Sequence, residues 1–97
     1  MPKTVTFYVV SYDISDDRTR RKVAKTMENY GRRVQFSVFE CRLSTPRFRE
    51  MYGKLITLCM KPGDSIRMYT ICEDCISRIH MIGVKEPAQE EDTVIII

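Results

Sequence analysis

The stretch VTFYVVSYDISDDRTRRK, residues 5–22, sets the reading of the chain. Val5 to Tyr12 is a short, β-branched and aromatic run, which predicts a buried strand. It ends on Asp13, and Ser15, Asp16 and Asp17 then supply helix-start chemistry ahead of a basic helical segment. A carboxylate at a strand exit, followed by Arg18, Arg20, Arg21 and Lys22, suits a metal and a phosphate together.

Outward from that stretch, the spacing predicts a helix over 16–30, with Val23, Ala24, Met27 and Tyr30 on one stripe and Gly31 as a left-handed cap. RVQFSVFECRL, residues 33–43, reads as a strand with a break. Val34, Phe36 and Val38 share one face, then the apolar set shifts parity to Phe39, Cys41 and Leu43, which calls for a bulge or a two-piece strand near Val38–Phe39. Thr45-Pro46 offers an N-cap and first-turn proline. Phe48, Met51, Tyr52, Leu55, Leu58 and Cys59 follow at helical spacing. Lys61-Pro62-Gly63-Asp64 is a turn, residues 65–72 alternate as a strand, and a shorter strand is expected around Arg78–Ile82. Residues 85–92 carry four carboxylates and Pro87 with little to bury, and the chain ends on five β-branched residues. That last run is either a final strand on the chain's own sheet or a strand added to a partner's sheet edge.

This order predicts an α+β ferredoxin-like sandwich, βαββαβ plus a C-terminal strand, with two helices on one face of an antiparallel sheet. Residues 1–84 form the domain; 85–97 are an acidic linker and a strand for a sheet edge of the dimer. The second face of the sheet needs a cover, which points to self-association.

With 97 residues, 43% hydrophobic and 30% charged, the chain is one ordinary globular domain, with no apolar run near the ~20 residues that span a bilayer. The expected location is the cytoplasm. Residues 1–50 hold 11 Lys+Arg against 6 Asp+Glu and residues 51–97 hold 5 against 7, so the basic charge sits in the first half. It is either a solvated surface or a face for a polyanion. Four cysteines without an export signal are expected to be reduced. Cys41 and Cys59 sit in periodic stretches as small core groups; Cys72 and Cys75 form a lone C-x-x-C, short of the four ligands of a structural zinc, with no evident helix start for a redox pair. His80 sits in a strand pattern.

Asp13 is the first candidate site residue. One carboxylate is too few for Mg²⁺, but a two-fold dimer brings in its copy. The plain structural reading is that Asp13 caps the loop into the first helix. Asp16 and Asp17 read as helix N-terminal residues, and Arg32 and Arg33 extend the basic surface at the next strand's start. Nothing in the chain matches a Ser-His-Asp set or a phosphate-cradling glycine loop.

The blocks YDISDD (12–17), RRKVAK (20–25) and YGRRVQFSVFECRL (30–43), with a weaker echo in 64–83, resemble the CRISPR-associated protein two family, the small partner of the spacer-acquisition integrase. The resemblance implies a ferredoxin-like homodimer whose C-terminal strand often crosses to the other protomer. It implies one Mg²⁺ or Mn²⁺ site shared between protomers through Asp13, with Tyr12 beside it, and functional positions at Arg20, Lys22, Arg33, Ser37 and Phe39. It further implies either a metal-dependent nuclease on single-stranded RNA or on DNA, or a non-catalytic bridge between integrase dimers. Three functions follow as expectations. One is an endonuclease with Asp13, Tyr12, Arg20, Arg33 and Phe39 in the catalytic set and Arg18, Arg20, Arg21, Lys22, Arg32, Arg33 and Ser37 on nucleic acid. The second is a DNA-binding scaffold, and the third is a metal-binding regulatory domain using Cys72 and Cys75.

Overall fold

A computed structural model describes residues 4–58 and 61–83. Its sheet has the order β2-β3-β1-β4, all neighbours antiparallel: β1 Val5–Asp13, β2 Gly31–Gln35, β3 Val38–Ser44 and β4 Ser65–Ile71. Helices α1 (Asp17–Met27) and α2 (Thr45–Ile56) follow β1 and β3, and a single turn, α3 (Glu73–Ile76), follows β4. This is the α+β ferredoxin-like sandwich expected from the sequence. No helix among the described residues is long and apolar enough to cross a membrane.

β1 is central because it can be buried on both edges. It pairs with β3 from Val5↔Ser44 to Ser11↔Val38 and with β4 from Phe7↔Ile71 to Asp13↔Ser65. Its side chains alternate between faces. Tyr8, Val10 and Tyr12 join Phe39, Cys41 and Leu43 of β3 under the helices, where Val23, Ala24 and Met27 of α1 and Met51 and Leu55 of α2 complete the core. Tyr8 stacks on Phe48 of α2 with ring centroids 4.4 Å apart. Burial holds the Cys41 thiol up at about 11, so it behaves as the core group its spacing implied. The opposite face carries Val5, Phe7, Val9, Ser11 and Asp13 of β1 beside Val38, Arg67, Tyr69 and Ile71; Phe7 is buried, with the Arg42 guanidinium 5.5 Å from its ring centroid, the others are exposed or half-buried, and neither long helix crosses them.

Several expectations change at element ends. Helix α1 starts and stops inside 16–30: Asp16 caps it, accepting from Thr19 N–H at 2.8 Å, and Glu28 closes it. Gly31 has no positive φ and no capping role; it begins β2, where an added Cβ would collide with Cys41 Sγ and meet Glu40 O at 2.5 Å. The parity shift at 33–43 marks a reversal of the chain. Phe36-Ser37 turn β2 into β3, and a register irregularity lies between Arg33 and Gln35. Ser44, not Thr45, caps α2, accepting from Arg47 N–H at 3.4 Å. The strand expected at Arg78–Ile82 is absent; α3 occupies 73–76, and His80 lies outside any strand. Cys59, the linker and the C-terminal run lie outside the described residues.

Candidate nucleic-acid interface and metal carboxylate

The β1–α1 loop, residues 14–16, is fixed from both sides. Ile14 is buried, and Asp64 of the α2–β4 turn accepts from Ser15 N–H at 3.1 Å and Ser15 Oγ–H at 3.2 Å. The second oxygen of Asp64 accepts from Lys61 N–H at 3.1 Å, and Gly63 supplies the positive φ that the turn needs. These donors, led by the Ser15 N–H, hold the Asp64 carboxyl below its ordinary value. The Thr19 N–H does the same to Asp16, and Asp17 pairs with Arg20.

Asp13 differs from these three. It is exposed at the end of β1, and its carboxylate has no hydrogen-bond or ion-pair partner among the described residues. Capping of α1 is done by Asp16, so the helix-cap reading of Asp13 does not hold. Its neighbours on the open face are Ser11, Ser65, which is its partner on β4, and Arg67, which pairs with Ser11.

Tyr12, one residue earlier, points the other way and is only 3% exposed. Its N–H donates to Ser37 O at 3.1 Å and its hydroxyl to Phe36 O at 3.4 Å, so β1 holds the β2–β3 turn. Arg33 Nη2 donates to the Tyr12 hydroxyl at 3.4 Å, while its guanidinium lies 5.6 Å from the ring centroids of both Phe36 and Phe39. Arg20 approaches the same turn from α1. Its Nη1 donates to Ile14 O at 2.9 Å, and its guanidinium lies 5.8 Å from the Phe36 ring. Phe36 is 70% exposed, an aromatic ring held between two cations at a turn tip.

The candidate residues thus separate into three groups. Tyr12, Arg20, Arg33, Ser37 and Phe39 come together, the last with no exposed surface of its own. Asp13 lies on the other face of the sheet, so the five-residue catalytic set does not converge within one chain. Arg18, Arg21 and Lys22 form an exposed stripe on α1 with Lys25, and Lys22 falls about 200° around the helix from Arg20. Arg32 is opposite Glu40 on the open face. Sequence reasoning passed over Phe36, Asp64, Ser65 and Arg67. Their signals are the parity shift at Val38 for Phe36, the Pro-Gly-Asp turn for Asp64, and the alternation of β4 for Ser65 and Arg67.

One observation places the chain. A family model described as CRISPR associated protein Cas2 matches residues 6–79, nearly the whole span just described. The chain belongs to the Cas2 family. A curated Cas2 from Chloroflexus aurantiacus, named a CRISPR-associated endoribonuclease, is 44% identical over 92 residues, covering 94% of this chain and 99% of the relative. The crystal structure of Streptococcus pyogenes Cas2 superposes with a TM-score of 0.69 at 32% identity, over 79% of this chain and 99% of that one. A chain of a partial Cas6-RT-Cas1–Cas2 complex gives a TM-score of 0.69 at 34% identity, over 79% of this chain and 90% of that one.

As a metal ligand set, Asp13 offers one unpaired carboxylate; among the described residues no three His, Cys, Asp or Glu side chains gather. A divalent cation wants donors beyond that one carboxylate.

Proposed function

We propose that this chain acts in CRISPR spacer acquisition as a homodimer that binds nucleic acid and cleaves it as a divalent-metal-dependent endonuclease. The observation that carries this reading is the free Asp13 carboxylate beside three carboxylates already engaged. Asp13 of both copies would hold Mg²⁺ or Mn²⁺, which supplies an activated water and neutralises charge on the phosphate. The open sheet face supports the pairing of copies: among the described residues, Val5, Val9, Tyr69 and Ile71 leave apolar surface there that neither α1 nor α2 covers. Arg67, on the face of Asp13, is the cation that steadies a phosphate near the metal. Arg20 and Arg33 grip the strand on the opposite side of β1, and Arg18, Arg21 and Lys22 extend that grip along α1.

The test is incubation of the pure protein with single-stranded RNA and with DNA, with Mg²⁺ and with chelator, comparing wild type and Asp13→Ala. Metal-dependent cleavage lost in the variant supports the reading; equal cleavage by both removes Asp13 from the site.

A second reading, a non-catalytic scaffold bridging integrase dimers on DNA, is favoured by the likeness to a chain of a partial Cas6-RT-Cas1–Cas2 complex. Duplex binding and integrase association that persist in Asp13→Ala, with no cleavage by wild type, would select it.

A further inference from the structure

Cys72 directly follows β4 and Cys75 lies in the single turn of α3. The sulfurs are 3.1 Å apart, and both side chains are exposed. This proximity does not depend on the sulfurs alone, because Cys75 N–H donates to Cys72 O at 2.9 Å and Ile76 N–H to the same oxygen at 3.1 Å. The backbone therefore holds the two thiols together. No third His, Cys, Asp or Glu among the described residues joins them as a metal site.

We propose that Cys72 and Cys75 form a thiol–disulfide exchange site that takes a small-molecule disulfide as its substrate.

The two thiols are unequal. The Cys75 thiol and the Cys75 N–H stabilise negative charge on Cys72 and hold its pKa below the ordinary thiol value, while the hydrogen bond that Cys75 makes to Cys72, with the charge there, pushes Cys75 up. Either neutral thiol can donate to the other; once Cys72 ionises, Cys75 is the donor. The Cys72 thiolate attacks one sulfur of the disulfide, a mixed disulfide forms on Cys72, and the first small thiolate leaves. Cys75 then gives its proton to solvent and attacks Cys72 Sγ, expelling the second thiolate. Two protein thiols are oxidised to one disulfide, and one small disulfide is reduced to two thiols. Cys41, buried and held at about 11, takes no part. This inference does not rest on the nuclease reading.

The experiment uses the full chain, reduced, freed of reductant and equilibrated with oxidised glutathione. Remaining thiols are then alkylated and the tryptic peptide covering residues 68–78, which holds both cysteines, is weighed. The expected peptide is unalkylated and two hydrogens lighter than the reduced form, and dithiothreitol restores alkylation at both positions. Under limiting oxidant, Cys75→Ser should accumulate a glutathione adduct on Cys72 on the order of tenfold faster than Cys72→Ser does on Cys75. Recovery of the wild-type peptide alkylated at both cysteines under excess disulfide would overturn the proposal. So would equal rates for the two variants, or a disulfide linking either cysteine to Cys59.

Discussion

Tyr12 and Asp13 are consecutive, yet their side chains leave β1 on opposite faces of the sheet, one buried under the helices and one exposed beside Ser65. The residue that anchors the β2–β3 turn and the residue with the unpaired carboxylate are therefore mechanically separate. Asp13→Ala should change unfolding free energy by no more than about 0.5 kcal/mol, as for a surface position outside any cap or core. It should abolish metal-dependent cleavage and keep duplex affinity. Added Mg²⁺ should raise the melting temperature of wild type more than that of the variant. A variant that melts well below wild type in urea would show that Asp13 holds the fold.

Asp64 and Asp16 fix the loop that follows Asp13, and both carboxyls are held below their ordinary value of 3.8 by backbone N–H donors. A depressed carboxyl contributes stability that is fully present above its unfolded pKa and lost as pH falls through the folded one. Wild type should keep a constant urea midpoint from neutrality down to about pH 5 and lose stability below about pH 4. Asp64→Asn should start lower at pH 7, and its gap from wild type should narrow as pH falls. A gap of constant size would mean that the Asp64 charge is irrelevant.

The Arg33 guanidinium bridges Tyr12, Phe36 and Phe39. Arg33→Gln should reduce the slope of log affinity against log salt by about one unit on any duplex, and Lys22→Gln on α1 should do the same independently. Arg33→Gln should also cost about 0.5–1 kcal/mol of stability through the lost ring contacts; Lys22→Gln should cost nothing measurable. Slopes from titrations at several salt concentrations decide this, and two unchanged slopes would leave both residues as solvated surface.

Gly31 and Gly53 make opposite predictions. At Gly31 an added methyl collides with Glu40 backbone at 2.5 Å, so Gly31→Ala should destabilise by at least about 1–3 kcal/mol. Gly53 lies inside α2 with no atom within 4 Å of an added Cβ, so Gly53→Ala should stabilise by about 0.5–1 kcal/mol. Thermal melts of the two variants check both signs.

Features fixed by local chemistry were legible in the sequence. The apolar run ending at Asp13, the Asp16 cap region, the stripes of α1 and α2 and the Pro-Gly-Asp turn all appear where their residue types require. The parity shift at Val38 announced a break, but whether the chain bulges or reverses there depends on pairing with β1, which the local pattern does not contain. The strand placed at Arg78–Ile82 had too few residues for either period to dominate, and a helical turn formed just before it. The site was read as one cluster because its residues are close in sequence. Alternation along β1 and the 100° step of α1 divide it, and Phe36 becomes part of it only through the turn that Tyr12 holds.

The central position of β1 also bears on how the chain is made. Its nine residues leave the ribosome before either strand they pair with, acquire one edge partner when β3 is complete at Ser44, and wait for the other until Ile71. At about 5–20 residues per second the second edge stays open for several seconds. Through that time the most apolar strand of the described sheet presents unpaired N–H and C=O groups to any neighbouring nascent chain. Any nascent fragment that stalls before Ser65 therefore carries a ready template for intermolecular pairing.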